Sequence, residues 1–169
     1  MPESEYEIEV HISREEAWEK LRDFSAAIHY VPGLTSAEIT TEQREGVGAS
    51  RRVCQGKRAL NETITEWQEG QGFTLHLHRG DKNGPMPPLT NAWYDYGLVE
   101  RDGKVFLSNR MRYEIGLGFL GQWLDQLGIG KILANAVRDS TIAQKIYYET
   151  GNTVTPAMLR AAKAELDIA

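Results

Sequence analysis

The feature that most constrains this chain is a run of alternating residues between Leu34 and Ile115, cut into six segments by turn signals. A period of two places successive side chains on opposite faces of a sheet, so each segment reads as a strand with one buried face. Two of the turns are short enough to set register. Gln55-Gly56-Lys57-Arg58 suits a two-residue hairpin with glycine first, the type II′ form, and Arg101-Asp102-Gly103-Lys104 suits type I′. A slip of one residue would turn every side chain to the other face, so these turns specify which residues share a face. They predict Val53 opposite Leu60, Arg51 opposite Glu62 and Ala49 opposite Ile64. They likewise put Leu107 opposite Leu98, Asn109 opposite Tyr96 and Met111 opposite Tyr94. The other face then pairs Asp95 with Arg110 and Trp93 with Arg112, a charged set that belongs in water. Phe73, Leu75 and Leu77 alternate with Thr74, His76 and His78 in the same sense, and the prolines between Gly80 and Leu89 mark a loop.

Helical patterns flank this run. Before it, Tyr6, Ile8, Val10 and Ile12 alternate with charged residues as a further strand. Ser13 with Glu16 three residues on forms a capping box, and Ala17, Trp18, Leu21 and Phe24 follow at helical spacing. After Gly116 and Gly118, Leu120, Leu124 and Leu127 line one helical face, and Leu133, Val137 and Thr141 continue it beyond Gly128 and Gly130. Glycine inside a helix costs about 1 kcal/mol relative to alanine, so this pair predicts a break or a bend. Gly151 is placed as the helix stop, and Thr155-Pro156 opens a short amphipathic helix through Leu159, Ala162 and Leu166. A strand, a helix, six strands and a long helix together predict an α+β domain in which the long helix covers one face of a seven-stranded antiparallel sheet.

Composition narrows the function classes. The 169 residues suit one domain, and a net charge of −5 argues against general nucleic-acid binding, which needs a basic footprint. The single cysteine, Cys54, excludes an intrachain disulfide and a thiolate metal cluster. No segment approaches the roughly 20 apolar residues of a membrane span, so no stable membrane insertion is expected. The acidic stretch Met1 to Glu9 does not read as a signal or transit peptide, and the expectation is a soluble cytoplasmic protein.

The chain resembles the START-like superfamily, also called SRPBCC, which includes polyketide cyclase/dehydrase-like proteins and plant abscisic-acid receptors. The residues that carry the resemblance are Ile12-Ser13 with Ala17-Trp18 and Leu21; Tyr30-Val31-Pro32-Gly33; Val47-Gly48 with Arg51; Glu62 with Ile64 and Glu66-Trp67; and Lys145 through Tyr148-Glu149-Thr150-Gly151. It spans residues 5–151 and implies a helix-grip fold: a curved sheet wrapped around the long helix, two short helices after the first strand, and a cavity between sheet and helix. Residues 1–151 would form the ligand-binding domain and 152–169 a helical extension. Members carry sterols, lipids, polyketides or hormones, and a minority catalyse cyclisation or dehydration. Where the hormone receptors carry a lysine on the second strand this chain offers Glu38, so hormone binding of that type is not expected.

The candidate site follows from the apolar face and the resemblance together. Val53, Leu60, Ile64, Leu75, Leu77, Leu107, Met111, Leu133 and Val137 would supply apolar walls. Arg51, Glu62, Tyr94, Tyr96, Asn109, Tyr113 and Thr141 would orient a ligand. The resemblance implies that Arg51, Glu62, Asn109 and Thr141 point into the cavity. A buried charge without a partner is costly, so Arg51 and Glu62 need each other, water or a ligand. The cavity is expected beside Leu107, Asn109, Met111, Leu133 and Val137, with Val137→Trp as a plug. His76 and His78 project to one side of a strand, as a zinc pair does, but Leu75 and Leu77 claim the inner face, so no metal is expected. His29 is a candidate acid or base near the pocket entrance, Cys54 lies on the outer face, and Trp18 belongs to the core. No phosphate loop, dinucleotide fingerprint or nucleophile elbow is present, so no cofactor is expected. The functional expectation is a module that binds or transports a small hydrophobic or amphipathic molecule, of lipid, polyketide or aromatic type. Two readings stand beside it: a cyclase or dehydratase in which Glu62, His29 or a tyrosine moves protons, and an interaction module without ligand. A homodimer is left open.

Overall fold

The computed structural model describes residues 1–80, 84–116 and 128–168. The elements are β1 (Glu3–Val10), α1 (Arg14–Arg22), a 3₁₀ turn (Phe24–His29), β2 (Ser36–Ile39), β3 (Ser50–Gln55), β4 (Arg58–Gln68), β5 (Gly72–His78), β6 (Leu89–Arg101), β7 (Lys104–Ile115), α2 (Gly130–Thr150) and α3 (Pro156–Ile168). The described strands make one seven-stranded antiparallel sheet in the order β1-β7-β6-β5-β4-β3-β2. With the short helices after β1 and the long helix near the C-terminus, this is the helix-grip arrangement expected from the sequence. The pattern Leu120, Leu124 and Leu127 lies outside the described residues.

Turn chemistry sets the register as expected. Gly56 has φ +60° while Lys57 stays out of the left-handed region, as type II′ requires, and Asp102 (+52°) and Gly103 (+73°) are both left-handed, as in type I′. Arg51 pairs with Glu62 and Val53 with Leu60. Across β6 and β7, Tyr94 pairs with Met111, Tyr96 with Asn109 and Leu98 with Leu107. Just before β3, the Ile64 N–H donates to the Ala49 carbonyl at 2.9 Å. A bulge between Ile64 and Glu66 breaks the alternation of β4 and brings Trp67 onto the inner face. There its ring stacks on Phe73 at 5.5 Å and meets Trp18 of α1 edge-on at 5.1 Å.

Local signals place the helices. The Ser13 hydroxyl accepts from the Glu16 N–H at 3.1 Å and opens α1. Gly128, at φ +114°, lies two residues before α2 begins, so the glycine pair marks its start rather than its interior. Gly151, left-handed at φ +72°, ends it by donating to the Tyr147 carbonyl at 2.8 Å. α2 lies on β1 and β7, while the 3₁₀ turn lies against β2. α3 and the segment before it are fastened to the rest of the chain through Lys163–Asp139 and Arg138–Asp167 ion pairs and through Val154, whose N–H donates to the His29 carbonyl at 2.8 Å.

On the convex face, Asp95 is less solvated than its charged surroundings suggest. Its side chain is 16% exposed and accepts from Thr74 Oγ1 (2.8 Å), Arg110 Nε (3.1 Å), Arg112 Nε (2.9 Å) and Arg112 Nη2 (2.8 Å). The expected exposed Asp95–Arg110 pair is thus corrected to a four-donor cluster in which the arginines shield the carboxylate. Burial pushes the Asp95 carboxyl up, but the hydrogen bonds from Arg112 and Thr74 and the Arg112 charge outweigh it, and the pKa falls below the usual value. The resulting stabilisation is complete above the unfolded-state pKa, about 3.9, and is lost as pH falls through the lower folded value. Asp95→Asn is expected to lower stability by about 1–2 kcal/mol at pH 7 and by much less near pH 2. Urea unfolding at both pH values checks this; an equal loss at both would show that the carboxylate charge is not involved.

Candidate functional site

Because α2 rests on the β1–β7 edge, it does not reach across the concave face to β3 and β4. A pocket of about 690 Å³ lies there. Its apolar walls come from Val31, Pro32 and Leu34 after the 3₁₀ turn, from Val53 and Leu60 on β3 and β4, and from Met86 in the β5–β6 loop. Its polar border comes from Gln55, Arg58, Glu62 and Arg79, with Asp139 and Ser140 on α2. The volume is within the ordinary range for small-molecule sites.

Of the sequence-expected residues, Val53, Leu60 and Glu62 stand on this wall. Arg51 lies behind it, 2% exposed, with Nε donating to Glu62 Oε2 and Nη1 to the Phe24 carbonyl, each at 2.5 Å. Its guanidinium also sits 4.2 Å from the Phe24 ring centre. Burial works against the Arg51 charge, but Glu62 and two nearby tyrosines more than reverse that, so the guanidinium stays protonated. The Tyr96 hydroxyl joins the cluster through Tyr30 and Arg51, and burial raises the pKa of both tyrosines. The polar interior at this end therefore consists of Arg51 with its partners, and Glu62 is its outlet to the pocket.

The remaining expected residues lie away from the pocket wall, in the core of the sheet and along its contact with α2. Ile64, Leu75 and Leu77 form the buried floor of β4 and β5. Leu107, Met111, Tyr113 and Val137 are closed in the core, and Leu133 packs against its edge. Asn109 is 1% exposed, and its amide donates to Thr141 Oγ1 at 3.1 Å and Gln144 Oε1 at 2.7 Å. Thr141 in turn donates to the Val137 carbonyl, and Gln144 donates to the Tyr148 hydroxyl at 3.0 Å. The Tyr94 hydroxyl lies beside Thr141 and Asn109 but forms no well-aligned hydrogen bond with either, and Asn109 Oδ1 is also without a partner. Asn109 and Thr141 thus fasten the sheet to the helix.

Sequence reasoning missed Gln144 and Tyr148, although Val137, Thr141, Gln144 and Tyr148 follow the helical period and share the buried face of α2. It also missed Arg58 and Arg79, which continue the inward-facing series Glu62–Leu60 and Leu75–Leu77 at the strand ends. The loop contacts from Val31 to Leu34 and at Met86 carried no periodic signal.

The histidines stand apart from the pocket. His29 Nδ1 is 2.8 Å from Thr153 Oγ1, and its ring stacks on Tyr147 at 5.2 Å, so it anchors the segment that leads into α3. His76 and His78 stack at 5.3 Å, and His78 Nε2 lies 2.9 Å from Thr63 Oγ1. Burial, then the neighbouring His78, lowers the His76 pKa. Cys54 is half-buried. Among the described residues no group of three or more His, Cys, Asp or Glu side chains is placed to hold a metal ion, and no helix is long and apolar enough to cross a membrane.

A family profile described as polyketide cyclase / dehydrase and lipid transport matches residues 1–142. A search of curated proteins gives no match. Similar solved structures include a solution structure from Thermobifida fusca (TM-score 0.67, 20% identity, covering 88% of this chain and 93% of that one). The protein XoxI from Bacillus cereus is similar at TM-score 0.67 and 15% identity, covering 88% and 96%. Ara h 8.0201 is similar at TM-score 0.61 and 15% identity, covering 87% and 97%. At these identities the structural likeness speaks to the fold.

Proposed function

The chain belongs to the polyketide cyclase / dehydrase and lipid transport family, within the START-like superfamily, and on that premise we propose that it binds a small hydrophobic or amphipathic molecule in the pocket between β3–β4 and α2. The observation that carries this reading is a 690 Å³ opening with apolar walls from β3, β4 and two loops, at the end of the sheet that α2 does not cover. Among the described residues the wall has no histidine, and its carboxylates Glu62 and Asp139 are each tied to a cation. That favours holding a ligand over acid–base turnover. Residues 1–151 would be the binding domain, with 152–169 closing against α2 as an accessory helix.

The test is a plug on the exposed part of the wall. Ala136, on α2, faces the pocket and is solvent-exposed, so Ala136→Trp adds bulk without entering the core. Its affinity for the neutral probe N-phenyl-1-naphthylamine is expected to fall by about 10-fold or more, a penalty of order 1.4 kcal/mol. Fluorescence titration, after circular dichroism has shown equal folding, reads the result; equal affinity in variant and parent would remove the pocket as the site. Val137→Trp is unsuitable for this purpose. Val137 is fully buried in the packed core, and overfilling it costs about 1–3 kcal/mol of stability.

A further inference from the structure

We infer that the pocket selects molecules whose polar end is a carboxylate, seated between Arg58 and Arg79; this rests on the ligand-binding reading above. Among the described residues four charged side chains border the pocket: Arg58, Glu62, Arg79 and Asp139. The two acids are already matched, Glu62 by Arg51 at 2.5 Å and Asp139 by Lys163 at 2.7 Å. The two bases are not. Among the described residues neither arginine has a carboxylate in ion-pair range, and Arg79 makes one long hydrogen bond, 3.4 Å, to the Gly84 carbonyl. Among the described residues the mouth therefore holds two uncompensated cations, in a chain whose net charge is −5.

Their position adds to the argument. Alternation puts Arg58 on the same face as Leu60 and Glu62, and Arg79, one residue past β5, on the face of Leu75 and Leu77. Both guanidiniums thus stand on the concave side, next to Val31, Leu34, Val53 and Leu60. Low-dielectric walls focus the field of charges at a cleft mouth. A guanidinium offers paired N–H donors that match the two oxygens of a carboxylate, which a neutral head group does not exploit. An amphipathic acid would place its chain along the apolar wall and its head at the arginines.

The experiment compares 11-(dansylamino)undecanoic acid with its methyl ester, which share a body and differ in head charge. The parent protein is expected to bind the acid about 10-fold tighter than the ester at low salt, with the preference shrinking as ionic strength rises. Arg58→Gln/Arg79→Gln is expected to abolish the preference, and Arg58→Lys/Arg79→Lys to retain part of it through charge alone. Equal binding of acid and ester by the parent would overturn the inference while leaving the pocket in place. Preference retained in the folded glutamine variant would also overturn it. Failure of both probes to bind the parent would overturn the inference together with the binding function beneath it.

Discussion

Glu62→Ala is expected to destabilise the protein by about 3–5 kcal/mol, because it leaves the Arg51 guanidinium buried without its counter-charge. Arg51 is 2% exposed and is held by Glu62 Oε2, the Phe24 carbonyl and the Phe24 ring. The Phe24 carbonyl meets a hydrogen-bonding need but supplies no full charge. Arg51→Met/Glu62→Leu removes both charges and keeps apolar volume, so it should recover most of the loss, as replaced ion pairs commonly do. Urea unfolding of the parent and both variants measures this, with the midpoint reporting stability and the slope checking two-state behaviour. A single-variant loss below about 1 kcal/mol would mean that water reaches Arg51 and that the pair behaves as a surface bridge.

This pair also shows how far the sequence could be read. A two-residue turn at Gly56-Lys57 is enough to oppose Arg51 and Glu62, because register propagates along a ladder without further information. The same holds for Tyr96 and Asn109 across Asp102-Gly103. The placement of α2 was not legible in this way. Period and capping say which face of the helix is apolar, but not which strands it covers, since that depends on the curvature of the whole sheet. With α2 on β1 and β7, residues expected around the ligand, such as Leu107, Met111 and Val137, become closed core, and the opening moves to β3 and β4. The Thr65 bulge was equally invisible, because a single extra residue leaves no mark in an alternating pattern that also contains Thr63 and Glu66. Arg58 and Arg79 were legible by parity. As charged residues at strand ends they read as ordinary solvated positions until the pocket showed what lies beside them.

Asn109→Leu is expected to cost about 2–4 kcal/mol, since it strips the donor from two buried acceptors at once. The Asn109 amide bridges β7 and α2, donating to Thr141 Oγ1 and Gln144 Oε1, both on side chains with no exposed surface. Leucine has the same branched outline and leaves no cavity, so the loss would come from unsatisfied polarity, with some overpacking from its larger methyl groups. The Asn109 Oδ1 atom already lacks a partner, which means the native arrangement is itself incompletely satisfied and offers no spare hydrogen bond to absorb the change. Thr141 can still donate to the Val137 carbonyl, but the Gln144 carbonyl oxygen is left facing hydrocarbon. Adding Gln144→Met should therefore restore part of the stability, although Tyr148 then loses the amide that donates to its hydroxyl. Thermal and urea unfolding of the single and double variants decide the matter. If Asn109→Leu stays within about 0.5 kcal/mol of the parent, water has access to the β7–α2 seam, and the seam rather than the β3–β4 pocket becomes the place to look for a ligand.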